Sequence, residues 1–111
     1  MKISVIIPAL NEASGILPCL HSVQNQPGDF ELLVIDGGSV DGTVEAVRPH
    51  ARVVPSEQGR AVQMNSGACH STGELLLFLH ADSHLPSRAF SHLEQVLADP
   101  RIVGGTFRTE I

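Results

Sequence analysis

Three side chains able to ligate a metal stand two residues apart in His80-Ala-Asp82-Ser-His84. On an extended backbone, residues at i, i+2 and i+4 point to one side, so all three could face one cation. A carboxylate with one or two imidazoles suits Mn2+ or Zn2+, whereas Mg2+ prefers oxygen ligands. The competing role is structural, with Asp82 capping a helix near Pro86 and both histidines in solvent. Gly59-Arg60 opens a helical stretch, where free N–H groups and a guanidinium fork suit a diphosphate. A lone solvated arginine is the alternative. Asp36 directly follows an apolar run. Its carboxylate could accept from ribose hydroxyls or a base N–H, or it could only fix a turn at Gly37 and Gly38. Glu12 could likewise meet a base or ribose, or serve a helix dipole. Cys19 and Cys69 lack a CxxC spacing and a nearby base, and read as packed thiols.

The elements that must position these groups alternate strand and helix. Ile3-Ser-Val-Ile-Ile7 is a β-branched run stopped by Pro8, and Phe30-Glu-Leu-Leu-Val-Ile35 is a second apolar strand. Ile16, Leu20 and Val23 give an amphipathic helix over about 14–24, with Pro18 tolerated in its first turn. Asp41 is placed to cap a second helix carrying Val44 and Val47, ended by Pro49. A short strand over 51–54 precedes a third helix with Ala61, Met64 and Ala68 on one face. Residues 74–79 are apolar on both faces, as in the middle of a parallel sheet. Phe90, Leu93 and Leu97 mark a fourth helix, and 102–107 reads as a fifth strand broken by Gly104-Gly105. This order calls for a three-layer α/β, Rossmann-like sheet, mostly parallel and incomplete at the last strand. With strand order 3-2-1-4, the four loops after the strands would converge on one rim, where such sheets bind ligands.

Composition narrows the classes. The 111 residues are 42% hydrophobic and 17% charged, enough for one small domain with a core. A net charge of -5, with neither Tyr nor Trp, argues against a nucleic-acid binder. No apolar run approaches the ~20 residues of a membrane span. The sequence therefore reads as a cytoplasmic domain. The loop after the first strand lacks the glycines of a dinucleotide fingerprint, which disfavours NAD and FAD.

Four blocks together carry a resemblance. Ser4-Val-Ile-Ile-Pro-Ala-Leu-Asn-Glu12, Val34-Ile-Asp-Gly-Gly-Ser-Val-Asp-Gly-Thr43, Gly59-Arg-Ala-Val-Gln-Met-Asn-Ser-Gly-Ala68 and Leu77-Phe-Leu-His-Ala-Asp-Ser83 follow in order. They resemble the N-terminal, nucleotide-sugar-binding half of a family 2 glycosyltransferase with the GT-A fold. The Gly-Arg-Ala-x-Gln-Met-Asn block, His-Ala-Asp and Gly104-Gly-Thr-Phe-Arg108 more narrowly resemble one bacterial subgroup. Its members are linked by gene context to arsenosugar or selenium-related pathways, and some carry carotenoid-glycosylation labels.

The resemblance implies a single nucleotide-sugar-binding domain over 1–111, truncated at its C-terminus. It implies that Pro8, Ala9 and Glu12 line the nucleotide pocket, Asp36 holds the base or ribose, and Arg60 lies near the diphosphate. His80 and Asp82 take the places of the family's Asp-x-Asp, whose last carboxylate binds Mn2+ or Mg2+. Asp82-Ser-His84 is an alternative register. Many relatives have a second aspartate at the place of Gly37. The implied reaction is inverting, metal-assisted transfer from a UDP- or GDP-sugar to a small-molecule or lipid-linked acceptor. The enzyme could then associate peripherally with the inner face of the plasma membrane. The catalytic base would fall beyond Ile111. A module that binds nucleotide without transferring sugar is the competing reading.

Overall fold

The β-branched run beginning at Ile3 forms β1 (Ile3–Ala9), and the second apolar run forms β2 (Phe30–Asp36). In the computed structural model, which describes residues 2–97, β3 (Arg52–Pro55) and β4 (Leu75–Phe78) complete a four-stranded sheet. Its order is β3-β2-β1-β4, the order under which the loops after the strands would share a rim, and every adjacent pair is parallel, as the alternating elements predict. The predicted fifth strand at 102–107 lies outside the described residues.

β1 continues through Pro8 rather than stopping before it. Ile6 faces β4, since its carbonyl accepts from Leu79 N, and alternation points Pro8 the same way. The last β1–β4 pair is Ile6 with Phe78, so the missing N–H of Pro8 lies past that ladder and costs it no bond.

Helices cover both faces. α1 (Ile16–Gln24), α2 (Thr43–Val47) and α4 (Ala89–Leu97) lie on one side, where Ile16, Leu20, Val23, Val47 and Phe90 pack with Val5, Ile7 and Val34. α3 (Arg60–His70) lies on the other, over Ile6, Leu33, Ile35 and Val54. The switch of face follows from strand order. The chain steps outward through α1 and α2, then returns past β1 through α3, and right-handed crossovers demand opposite sides.

α3 does not present the face expected from its alanines. Ala61 is exposed, whereas Gln63 and Gly67 are buried. A Cβ on Gly67 would overlap Ile6 Cγ2 and crowd Ile35, so the helix lies on the sheet backbone-close. β4 also departs from expectation. It is the last strand of the sheet among the described residues, and Leu76 and Phe78 are exposed on its α3 side. No described helix is long and apolar enough to cross a membrane.

Candidate functional site

β1 is the strand at which connection direction reverses, so the notch between the carboxyl ends of β1 and β4 is the topological switch point. A cleft of about 270 Å3 opens there. Its walls come from the end of β1 and its loop (Pro8, Ala9, Glu12), the start of α3 (Gly59, Arg60, Gln63) and the end of β4 (Leu79, His80). Three of the four loops converge as the strand order predicts. The loop after β2 does not line this cleft.

That loop is instead tied behind the loop after β1. Asn11 N donates to Ser39 Oγ, and Val40 N donates to Asn11 Oδ1. Glu12 N donates to Thr43 Oγ1, and Ala13 N to Asp41 Oδ2. Asn11 takes a left-handed φ of 54° to make its contacts. Asp41 stands one residue before the cap position, which Gly42 occupies, yet its Oδ1 still accepts from Thr43 N at 3.1 Å. The Thr43 hydroxyl bond to Asp41, with the Ala13 and Thr43 amides, outweighs desolvation and holds this carboxyl below its ordinary range.

Asp36 is buried, and its carboxylate is occupied within its own turn. Oδ2 accepts from Gly38 N and Ser39 N, both at 3.0 Å, and Oδ1 from the Ser39 hydroxyl. Of the carboxylates singled out by sequence, Glu12 is the one that lines the cleft. No described residue donates to its side chain.

Gln63 was not singled out as a site residue, yet it organises the cleft floor. Its Nε2 donates to Ala9 O at 3.0 Å and Ile35 O at 2.9 Å, closing the ends of β1 and β2 together. Its Oε1 accepts from Gly59 N at 3.1 Å, which fixes the turn into α3. That turn needs glycine, because φ at Gly59 is 144°. A polar residue at a helix position flanked by Val62 and Met64 was the available signal. The α3 N-terminus that results has no side-chain cap, so its first-turn N–H groups form an electropositive helix end with no side chain bonded across it.

The Arg60 guanidinium reaches across to His80, with Nη2 to Nε2 at 3.1 Å and Nη1 to Nδ1 at 3.4 Å. The predicted three-ligand face does not assemble. Ser83 N donates to His80 O at 3.0 Å, so the chain turns where an extended strand was expected. No group of three His, Cys, Asp or Glu side chains could hold an ion among the described residues. Asp82 and His84 are exposed and lie outside the cleft lining. Beneath this turn, the Cys19 thiol donates to His80 O at 3.4 Å. Burial, with the Asp82 charge adding, pushes that thiol up to about 12.

The Glycosyl transferase family 2 profile matches residues 4–110. The chain belongs to this family. Over 91 residues it is 42% identical to a PGL/p-HBAD biosynthesis glycosyltransferase of Mycobacterium tuberculosis, covering 74% of this chain and 36% of the relative. Among solved structures it is similar to mannosyltransferase PcManGT from Pyrobaculum calidifontis in complex with GDP-Man and Mn2+. There the TM-score is 0.77 at 32% identity, over 88% of this chain and 32% of the other. It is also similar to glucosyl-3-phosphoglycerate synthase from Mycobacterium tuberculosis in complex with Mn2+, UDP and glucosyl-3-phosphoglycerate. That TM-score is 0.71 at 28% identity, over 93% of this chain and 40% of the other. The chain thus spans about a third of the length of the curated relative it matches. The likeness fixes the fold as the GT-A, Rossmann-like type.

Proposed function

We propose that residues 1–111 form the nucleotide-sugar-binding domain of an inverting glycosyltransferase. The observation carrying this reading is the switch-point cleft, where Arg60 and the open α3 N-terminus meet the loops after β1 and β4. This arrangement suits a nucleoside diphosphate: two negative charges opposite one guanidinium and a helix N-terminus. The GDP-Man and UDP bound in the similar structures support the same ligand class.

In this reading Pro8 and Ala9 wall the nucleoside, and Glu12 offers a free carboxylate to a base N–H or ribose hydroxyl. Asp36 acts through the loop it shapes. Arg60 and the first-turn N–H groups of α3 bind the diphosphate and stabilise the charge that develops as the sugar leaves. Asp82, exposed on the turn that follows the cleft residue His80, would hold a divalent cation, Mn2+ or Mg2+. One carboxylate with phosphates fits how such hard cations bind. When bound, the cation supplies further neutralisation of the leaving diphosphate. The acceptor hydroxyl attacks from the face opposite the leaving group, and its base is assigned to none of the described residues.

Calorimetric titration with UDP- and GDP-sugars tests this. Binding of one of them is expected, strengthened by Mn2+, with the metal-dependent part weakened in Asp82→Ala. A folded sample that binds neither, with or without Mn2+, sinks the reading. A sugar-transfer assay on the same chain separates an enzyme from a module that binds without transferring.

A further inference from the structure

We propose that His80 is a positioning residue for Arg60, holding the guanidinium at the cleft for a diphosphate without cancelling its charge. The proposal rests on the reading of the cleft as a nucleotide-sugar site and adds a role for the residue at the first place of the Asp-x-Asp pattern.

Both partners are mounted on fixed backbone. Leu79 N donates to Ile6 O at the end of the β4 ladder, and the His80 carbonyl accepts from Ser83 N and the Cys19 thiol. On the other side, Arg60 is the first residue of α3, and Gln63 fixes the preceding Gly59 N–H. Between these mounts the guanidinium spans both ring nitrogens, at 3.1 and 3.4 Å.

A neutral imidazole has one acceptor nitrogen. One of the two contacts, 3.1 Å to Nε2 or 3.4 Å to Nδ1, is therefore the hydrogen bond, according to the tautomer the ring adopts. A carboxylate in this place would form an ion pair with Arg60 and offset the charge that a diphosphate needs. The imidazole orders the fork while leaving it cationic. Both side chains are exposed, so an unheld Arg60 would sample many rotamers and lose that freedom on binding. Ordering it beforehand raises affinity for the charged part of the ligand only.

The test is calorimetric titration with UDP and GDP, and with uridine and guanosine, in metal-free buffer and then with Mn2+. Arg60→Ala and His80→Ala are each expected to weaken diphosphate binding roughly tenfold. The double variant should bind no more weakly than Arg60→Ala alone, and the nucleosides should bind all variants alike. His80→Gln keeps an acceptor and should retain most of the affinity. His80→Asp should bind more weakly without metal and regain affinity with Mn2+. Additive losses, or unchanged diphosphate affinity in His80→Ala, overturn the positioning role while leaving the nucleotide site standing. Wild-type chain that binds neither UDP nor GDP overturns both.

Discussion

Gly37 and Gln63 compete for one space: a Cβ on Gly37 would stand 2.9 Å from Gln63 Oε1. The φ of Gly37 is not positive, so its backbone alone does not demand glycine. The demand comes from Gln63, whose amide cannot step aside without releasing Ala9 O, Ile35 O and Gly59 N. A side chain at the place of the second aspartate of many relatives is thereby incompatible with this glutamine in its present position.

Gly37→Ala is therefore expected to destabilise the chain by about 1–3 kcal/mol, the cost of leaving buried polar groups unsatisfied. Gln63→Ala should cost a similar amount. In the Gln63→Ala background, Gly37→Ala should be nearly free, so the two effects are strongly non-additive. Urea denaturation of the four proteins measures this, and additive midpoint shifts would refute the shared-space account.

Gly67→Ala probes a closer approach. The added methyl meets Ile6 Cγ2 and Ile35 Cγ1, both in buried strand residues that cannot withdraw. A loss of roughly 1–3 kcal/mol is expected from overpacking, read as a lowered urea midpoint. A neutral effect would mean that α3 sits farther from the sheet.

These two glycines show where the sequence was legible and where it was not. The layered, parallel sheet followed from the alternation of apolar runs with amphipathic helices, whereas that alternation alone does not set the strand order. The site was harder, because the same residue types serve as ligands and as struts. Asp36 and Asp41 sit in a block that resembles a nucleotide-binding motif, yet both carboxylates accept hydrogen bonds that shape loops. Spacing cannot distinguish an acceptor facing a ligand from one facing its own backbone. The face carrying Ala61, Met64 and Ala68 is not the one α3 buries most deeply, for a related reason. Close packing on a sheet is set by the absence of a side chain at Gly67, which hydrophobic periodicity does not weigh.

Acid sensitivity should trace to two carboxylates. For Glu31, partial burial pushes the carboxyl up. Hydrogen bonds from the Ser4 hydroxyl and from Thr72, with the Lys2 charge, outweigh that and leave it below its ordinary value of 4.5. Asp41 lies below its ordinary 3.8, chiefly through Thr43. A depressed folded-state value favours folding above the unfolded value, and that contribution is lost as pH falls through the folded one. Urea midpoints should fall below about pH 4.5, and Glu31→Gln with Asp41→Asn should flatten that decline. An unchanged acid limb in the double variant would assign it to other groups.

Cys19 and Cys69 should separate cleanly. Cys19 is fully buried with its thiol pushed up to about 12, whereas Cys69 is exposed on α3. Iodoacetamide at pH 8 should label Cys69 alone, and Cys19 only after denaturation. Because the folded value is raised above 9.0, the thiol favours folding below that pH, and its contribution is lost as pH rises toward 12. Labelling of Cys19 in the folded chain would contradict its burial.

Glu12 and Asp36 should fail in different ways when their charge is removed. Asp36 is 6% exposed and accepts from two backbone amides and a hydroxyl, so Asp36→Ala removes three bonds that shape the turn and leaves part-buried donors unpaired. A loss of about 1–3 kcal/mol is expected, appearing as a lower Tm. Glu12 lines the cleft, and no described residue donates to its carboxylate. Glu12→Gln should therefore leave Tm within a degree or so, because no buried hydrogen bond is broken. It should instead weaken binding of UDP or GDP by roughly tenfold, as one charge-assisted bond is replaced by a neutral one. Thermal melts and titrations on both variants decide the matter. A stable Asp36→Ala that loses nucleotide binding, beside a Glu12→Gln that keeps it, would return the ligand-facing carboxylate to Asp36.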